Sequence, residues 1–226
     1  MGDHDDGAFV GLQAREDIEH VGGVVDAVLH KYAITTAGPA RVDAAPLGAQ
    51  TLWAHRSPPL KDIAHHMLVV SDNHVAEQLL RTIAAAQGHR GVELQGIAVE
   101  AAFLSQLGVP DRGLRLYDGS GLSPGNRIAP RSLAAVIEDA QHVPGLPLIM
   151  GFPLVGIEGT VKGHTLRRAL GRVRAKSGHI TGVDGLAGVI QTKHHGTLAF
   201  AFITNDADDG TVEDAEDKIF DGFMQF

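Results

Sequence analysis

The sequence predicts a fold of the α/β (α+β-like) class, in which a helical part is followed by an antiparallel sheet meander and a C-terminal helix. Two observations carry this prediction. Apolar residues recur at helical spacing between residues 58 and 142. Further along, the apolar runs 185–192 and 197–204 have the length of strands and flank a short polar connection at 193–196. Because 44% of the 226 residues are hydrophobic, the chain can bury a core of this size.

The first half of the chain is expected to be mostly helical. Residues 1–55 have the weakest pattern, with one short amphipathic helix predicted at 21–32 and a break at Gly38-Pro39. Two helices then flank the polar corner Ser71-Asp72-Asn73, and their apolar positions are Leu60, Ile63, Ala64, Met67 and Leu68 in one and Ala76, Leu79, Leu80, Ile83 and Ala84 in the other. Further helices are predicted at 92–107 and 130–142, with a short strand-like stretch at 114–117 between them.

The second half changes from loop to sheet. Residues 144–164 are rich in glycine and proline and are expected to form loops with short extended pieces. Arg172 to Lys176 alternates polar and apolar residues and is predicted as the first of three antiparallel strands. The last segment places Ala215, Ile219, Phe220 and Phe223 on one helical face that must cover the sheet. We expect one structural unit over 1–226, with 1–55 poorly defined, 56–170 mostly helices and loops, and 171–226 three strands plus a helix.

Composition excludes several classes of function. A net charge of −8 offers no basic surface for nucleic acid, and no apolar run reaches the roughly 18 residues of a membrane span. The acidic first residues do not resemble a signal peptide. The absence of cysteine removes disulfides and thiolate metal sites. We expect no cofactor and no metal site.

Two polar triplets carry the functional prediction. Ser71-Asp72-Asn73 alone has the composition of a turn and helix cap, and Lys176-Ser177-Gly178 alone has that of a strand end. Together, in this order, they match two of the three motifs that define class A β-lactamases and penicillin-binding proteins, S-x-x-K, S-D-N and K-T-G. The serine in place of threonine keeps the hydroxyl.

The surrounding residues make the resemblance more specific. The stretch from His55 to Leu60, then Met67, Ser71 to Asn73 and Ala76 to Leu80, resembles the D-alanyl-D-alanine carboxypeptidases of the penicillin-binding-protein 4 type, S13-like serine peptidases. The loops 118–126 and 152–160 resemble that family's loops as well, so the likeness covers about 21–205.

This resemblance implies part of a β-lactamase/penicillin-binding fold and a penicillin-binding serine-type D-Ala-D-Ala carboxypeptidase or endopeptidase of peptidoglycan metabolism. Its partners would be peptidoglycan stem peptides ending in D-Ala-D-Ala and β-lactams, in a periplasmic or extracytoplasmic location.

The resemblance also implies residue roles. Catalytic residues would be Ser71, which relays a proton to the leaving amine, Asn73, which binds the substrate peptide, and Lys176. Substrate binding would fall to three residues of the strand: Ser177 holds the carboxylate, Gly178 leaves room for substrate, and the His179 backbone N–H donates to the oxyanion. Asp72 is expected to anchor the corner.

The nucleophile motif is missing from these 226 residues. The residues three positions after the seven serines are Leu, His, Gly, Ser, Asn, Ala and Ile, so no S-x-x-K exists, and no threonine precedes a lysine at that spacing. We therefore expect the C-terminal portion of a DD-peptidase domain, inactive by itself. It would associate with a missing N-terminal portion or with itself. The alternative is a non-catalytic module that binds stem peptides or a protein partner.

Other motif readings are weaker. A class A β-lactamase should also show Glu-x-x-Leu-Asn, which is absent, and Asp118 stands where a G-x-S-x-G elbow needs glycine. Residues 205–216 approach an EF-hand loop but place Ala207 at the third ligand position. His65 and His66 are adjacent and point to different sides of a helix, so they make no metal pair.

Overall fold

Four helices are complete among the described residues that precede the sheet. The computed structural model describes residues 29–35, 38, 48, 50, 56–109, 112–142, 151–164, 169–207 and 209–225. Within these, the helices are α1 (Leu60–Val70), α2 (Asn73–Ala86), α3 (Glu93–Gln106) and α4 (Pro130–Ala140). The apolar spacing of the sequence therefore predicted all four, to within a few residues at each end. Of the helix predicted at 21–32, residues 29–31 are helical and 21–28 lie outside the described residues.

The sheet is the predicted antiparallel meander. Its strands are β1 (Val173–Ile180), β2 (Val183–Gln191) and β3 (Thr197–Asn205), in the order β1-β2-β3. In the register of β1 and β2, Lys176 lies opposite Ala187 and Ser177 lies opposite Leu186. The predicted end of β1 at Lys176 is wrong, because the ladder continues to Ile180. Ser177 and Gly178 are therefore part of a strand and do not form a turn.

The C-terminal helix α5 (Asp209–Phe223) belongs to one face of the sheet. Phe220 is 1% exposed and packs edge-on against Phe200 of β3, with the ring centroids 4.9 Å apart. The same cluster contains residues of β1 and β2: Val173, Ala175, Leu186 and Ile190. Burial of these side chains is the main favourable term that holds α5 to the sheet.

The opposite face of the sheet is covered by earlier parts of the chain. Ala187 and Val189 of β2 form a buried cluster with Ile137 of α4 and Phe152, and Leu68 of α1 packs against it. Since side chains alternate along a strand, Lys176 projects from this face, and Ser177 projects from the α5 face. The lysine and the end of α1 thus lie on the same side of the sheet.

Two smaller findings complete the architecture. The strand-like stretch at 114–117 is reduced to one bridge between Arg115 and Arg127.

By its contacts the chain divides into two compact units, Met1–Arg56 and Ser57–Phe226. The single unit expected over 1–226 stays a prediction. In the part of the chain that the structure describes, no helix combines the length and the apolar character that crossing a bilayer requires.

Candidate active site

The corner between α1 and α2 is built by Ser71 and Asp72. Ser71 ends α1 in the left-handed conformation, with φ 58° and ψ 51°. The Asp72 N–H closes the helix end by donating to Met67 O at 3.1 Å, and Asp72 Oδ1 accepts from the Val75 N–H at 3.0 Å. Asp72 is thus the N-cap of α2, which satisfies one of the amides that a helix start leaves unpaired. Asn73 is the first residue of α2 and is exposed.

Ser71 adopts a backbone conformation that is energetically unfavourable for serine. A non-glycine residue in the left-handed region costs roughly 1–2 kcal/mol, because Cβ approaches the backbone. Glycine is the usual residue at such a helix end. A side chain retained at a strained position is characteristic of functional sites, so the half-buried Ser71 hydroxyl is a candidate functional group.

The ammonium group of Lys176 sits in a partly desolvated position. Its Nζ donates to the Ser177 carbonyl oxygen, and its side chain is half-buried. Burial lowers the pKa of Lys176 from its ordinary value, because desolvation disfavours the charged form. An ammonium that has already lost part of its hydration gives up less of it when it pairs with an anion.

Among the described residues, the outer edge of β1 is paired over only part of its length. Val155 N–H donates to Val173 O at 2.9 Å, and Ala175 N–H donates to Pro153 O at 3.0 Å. This pairing is antiparallel and in the described residues ends at Pro153, whereas β1 continues for five residues beyond Ala175. Backbone groups alternate along a strand, so those of Ser177 and His179 point to the same edge as those of Val173 and Ala175. The His179 side chain contacts Asp184 across the hairpin.

Gly178 is not required by the packing of the described chain. A Cβ built on Gly178 meets no described atom within 4 Å, and its φ is not in the left-handed region. Gly188 of β2 provides the contrast, since a Cβ there would lie 2.0 Å from Arg174 O. The open space above Gly178 is consistent with a strand edge that leaves room for a ligand.

A short turn connects the Ser71 corner to the Lys176 strand. The 3-10 turn Gly159–Val161 contacts both α1 and β1. A Cβ on Gly159 would meet Val69 O at 2.1 Å, which shows how closely the turn approaches the end of α1. On its other side, Thr160 Oγ1 lies 3.1 Å from Ser177 Oγ. The turn therefore lies between the end of α1 and β1 and contacts both.

The loop 118–126 is organised by its own polar side chains. Asp118 accepts from the Gly121 and Ser123 N–H groups and from Asn126 Nδ2. Glu77 of α2 accepts from the Gly119 and Ser120 N–H groups at 3.1 and 2.8 Å, which anchors the loop beside the polar corner. These hydrogen bonds give the polar side chains of the loop a structural role.

Of the predicted residues, the structure shows Ser177 in contact with the turn Gly159–Val161 and Ser71 two residues beyond its contact with Val69. Two contributors were not predicted as site residues, Thr160 and Glu77. Their partners lie 17 and 42 positions away in sequence, so no local signal identifies them. The near-match to an EF-hand lies largely within α5, where Glu216 contacts His164 at 3.5 Å. Among the described residues there is no group of three side chains arranged to hold a metal ion.

Comparison with known proteins gives consistent matches. The model of the D-Ala-D-Ala carboxypeptidase 3 (S13) family matches residues 6–224. Carboxypeptidase DacB of Mycolicibacterium smegmatis is 34% identical over 168 residues, which cover 71% of this chain and 36% of that protein. D-alanyl-D-alanine carboxypeptidase DacB of Haemophilus influenzae is 30% identical over 195 residues, covering 84% and 41%.

Solved structures agree with these sequence matches. The crystal structure of penicillin binding protein 4 (dacB) from Haemophilus influenzae in complex with a β-lactam superposes with a TM-score of 0.79 at 26% identity. That match covers 91% of this chain and 51% of the other. The chain thus spans about two fifths of the length of the curated relatives and about half of the solved one.

Proposed function

The chain belongs to the D-Ala-D-Ala carboxypeptidase 3 (S13) family, and on that premise we propose that it forms the carboxylate-holding and proton-relaying part of a penicillin-binding, serine-type D-Ala-D-Ala carboxypeptidase cleft. The ligands of this cleft are peptidoglycan stem peptides that end in D-Ala-D-Ala, and β-lactams. Its place of action is extracytoplasmic, where peptidoglycan is found.

One observation carries the proposal. The half-buried ammonium of Lys176, the hydroxyl of Ser177 and the space above Gly178 follow one another on a strand edge. A terminal carboxylate at this edge can be reached by the Lys176 ammonium from one face of the sheet and by the Ser177 hydroxyl from the other. The bond to the ammonium is charge-assisted and so roughly twice as strong as a neutral one. A peptide that extends along β1 would meet the backbone groups of Ser177 and His179, and the His179 N–H is the proposed oxyanion donor.

The Ser71 corner supplies the second part of the proposal. A substrate between α1 and β1 would expose its scissile amide to the Ser71 hydroxyl, which we assign to proton relay toward the leaving D-alanine. Asn73 begins α2 and is exposed, so its amide is available to hydrogen-bond the substrate peptide. These roles follow from the family motif at these positions.

Attack on the carbonyl requires a group that these residues do not provide. No S-x-x-K occurs among the 226 residues, so we propose that the chain by itself is not acylated. The same fact favours a second candidate function, a non-catalytic module that binds stem peptides or a protein partner without turnover. The two candidates share the carboxylate site and differ in the chemistry.

A fluorescent penicillin tests the proposed chemistry. A serine enzyme that is competent alone would keep covalent label after denaturation, because the acyl-enzyme is an ester. We expect no retained label on the purified chain. Stoichiometric label that is lost in Ser71→Ala or in another serine variant would contradict the proposal and would identify the nucleophile. Labelling after denaturation of the protein serves as the control for non-specific reaction.

A further inference from the structure

Thr160 is the residue of the connecting turn whose side chain reaches the candidate carboxylate site. We propose that Thr160 is a positioning residue: its hydroxyl donates to Ser177, so that the single proton of Ser177 is directed to the terminal carboxylate of the substrate. This inference rests on the proposed function, because it assigns Thr160 a task within that site.

The number of available protons gives the direction of the hydrogen bond. The two hydroxyl oxygens lie 3.1 Å apart, and either could be the donor in the free protein. Each hydroxyl has one proton, and an ionised carboxylate only accepts. When Ser177 gives its proton to a carboxylate, the contact between the two oxygens survives only if Thr160 is the donor. The result is a chain from Thr160 to Ser177 to the carboxylate, in which each bond polarises the next.

The turn holds Thr160 in place before any ligand arrives. Val161 is fully buried in the cluster that also contains Val173 and Ala175 of β1. Gly159 lies against the backbone of Val69, and the turn is closed by the Gly156 N–H, which donates to Val161 O at 3.0 Å. Thr160 itself is exposed and its neighbour Ser177 is half-buried, so a ligand can reach the pair. A site built this way loses little entropy when the carboxylate binds.

The same turn contacts the end of α1, so it also relates the two halves of the site. Gly159 packs against Val69, which lies two residues before Ser71. The residue after Gly159, Thr160, contacts Ser177. A substituent at position 159 would displace the turn, whereas a change at position 160 removes only a hydroxyl. Thr160 is therefore the position at which the hydrogen bond can be tested without moving the backbone.

A double-mutant cycle on the whole chain tests the inference. The probes are diacetyl-L-lysyl-D-alanyl-D-alanine and its C-terminal amide, and Kd is measured by NMR titration of wild type, Thr160→Val, Thr160→Ser, Ser177→Ala and Thr160→Val/Ser177→Ala. We expect Thr160→Val to weaken binding of the free acid about 5-fold and Thr160→Ser to restore it. The double variant should bind no more weakly than Ser177→Ala, because the two side chains act as one unit. Binding of the amide should change little.

The matched control is Thr82→Val on α2, where the threonine hydroxyl bonds only to Gln78 O in the described contacts. It should leave Kd unchanged. Additive losses in the cycle, or an equal loss with the amide, would overturn the inference. A second measurement, made without ligand, tests the role of Thr160 separately from the proposed function. The NMR scalar couplings that report the χ1 angle of Ser177 should indicate one rotamer in wild type and Thr160→Ser. In Thr160→Val they should indicate an average over several rotamers. If wild type binds neither peptide, the proposed function fails, and these couplings alone decide whether Thr160 positions Ser177.

Discussion

At the scale of the residue, Ser71 combines a backbone cost with a candidate chemical role. Its φ is 58°, and the other described non-glycine residues with a positive φ are Ala33 (58°) and Asp206 (54°). A glycine at 71 would relieve the strain but would remove the hydroxyl. A substitution of Ser71 should therefore distinguish an effect on stability from an effect on function more clearly than a substitution of a buried residue would.

We predict that Ser71→Gly raises the free energy of unfolding by about 0.5–1 kcal/mol, the usual left-handed penalty minus the added backbone entropy of glycine in the unfolded chain. Urea unfolding measures this change. Asp206→Gly is the matched control, since it relieves a similar φ at the end of β3. A destabilised Ser71→Gly would show that the Ser71 side chain contributes contacts that outweigh the strain.

Lys176 links the site to pH. Burial lowers its pKa, so the folded chain releases this proton at a lower pH than the unfolded chain does. Stability contributed by this group therefore rises with pH between the folded and the unfolded pKa, because the unfolded state then binds more protons. Binding of a carboxylate should have the opposite dependence, since it needs the ammonium.

We predict that affinity for the free-acid peptide is constant below the lowered pKa of Lys176 and falls as the pH rises through it. Titrations at increasing pH measure it, with the C-terminal amide as the control that should show no such fall. Replacement of the exposed Lys61 of α1, Lys61→Met, should leave the pH dependence of affinity unchanged. A profile that stays flat up to the pKa of an ordinary lysine would contradict the role of Lys176.

At the scale of the element, helical periodicity located α1, α2 and α4 because each concentrates its apolar residues on one face. The helix α3 was also predicted, although Leu94 and Phe103 on it are exposed. The strands were located by two apolar runs and a polar hairpin. The end of β1 was misplaced because Ser177-Gly178 has the composition of a turn, and only the pairing with Leu186 and Gly185 keeps these residues in the ladder. Sequence has no access to that pairing, since it depends on register.

In the candidate site, too, local patterns were predicted from the sequence and contacts between distant residues were not. The two triplets were found from sequence because their residue types and order are specific to a family. The turn Gly159–Val161 was quoted only as part of a similar loop, and its contacts with α1 and Ser177 were not foreseen. A hydrogen bond between residues that are distant in sequence leaves no periodic trace, so such positioning contacts emerge only from the fold.

At the scale of the whole molecule, the net charge of −8 disfavours an anionic peptide at long range. We therefore propose that recognition comes from the local arrangement of Lys176 and Ser177, with the partly desolvated ammonium as its centre. The fold supports this arrangement by placing α5 on one face of the sheet and α1 and α4 on the other, so that the sheet is packed on both faces.

The most direct measurement of the central claim is an NMR titration of the wild-type chain with diacetyl-L-lysyl-D-alanyl-D-alanine and with its C-terminal amide. We predict saturable shifts centred on the amides of residues 176–179, and binding of the C-terminal amide at least about 10-fold weaker, since that peptide lacks the charge-assisted bonds. Equal affinity for the two peptides, or shifts confined to other parts of the chain, would contradict the assignment of Lys176 and Ser177 as the carboxylate site.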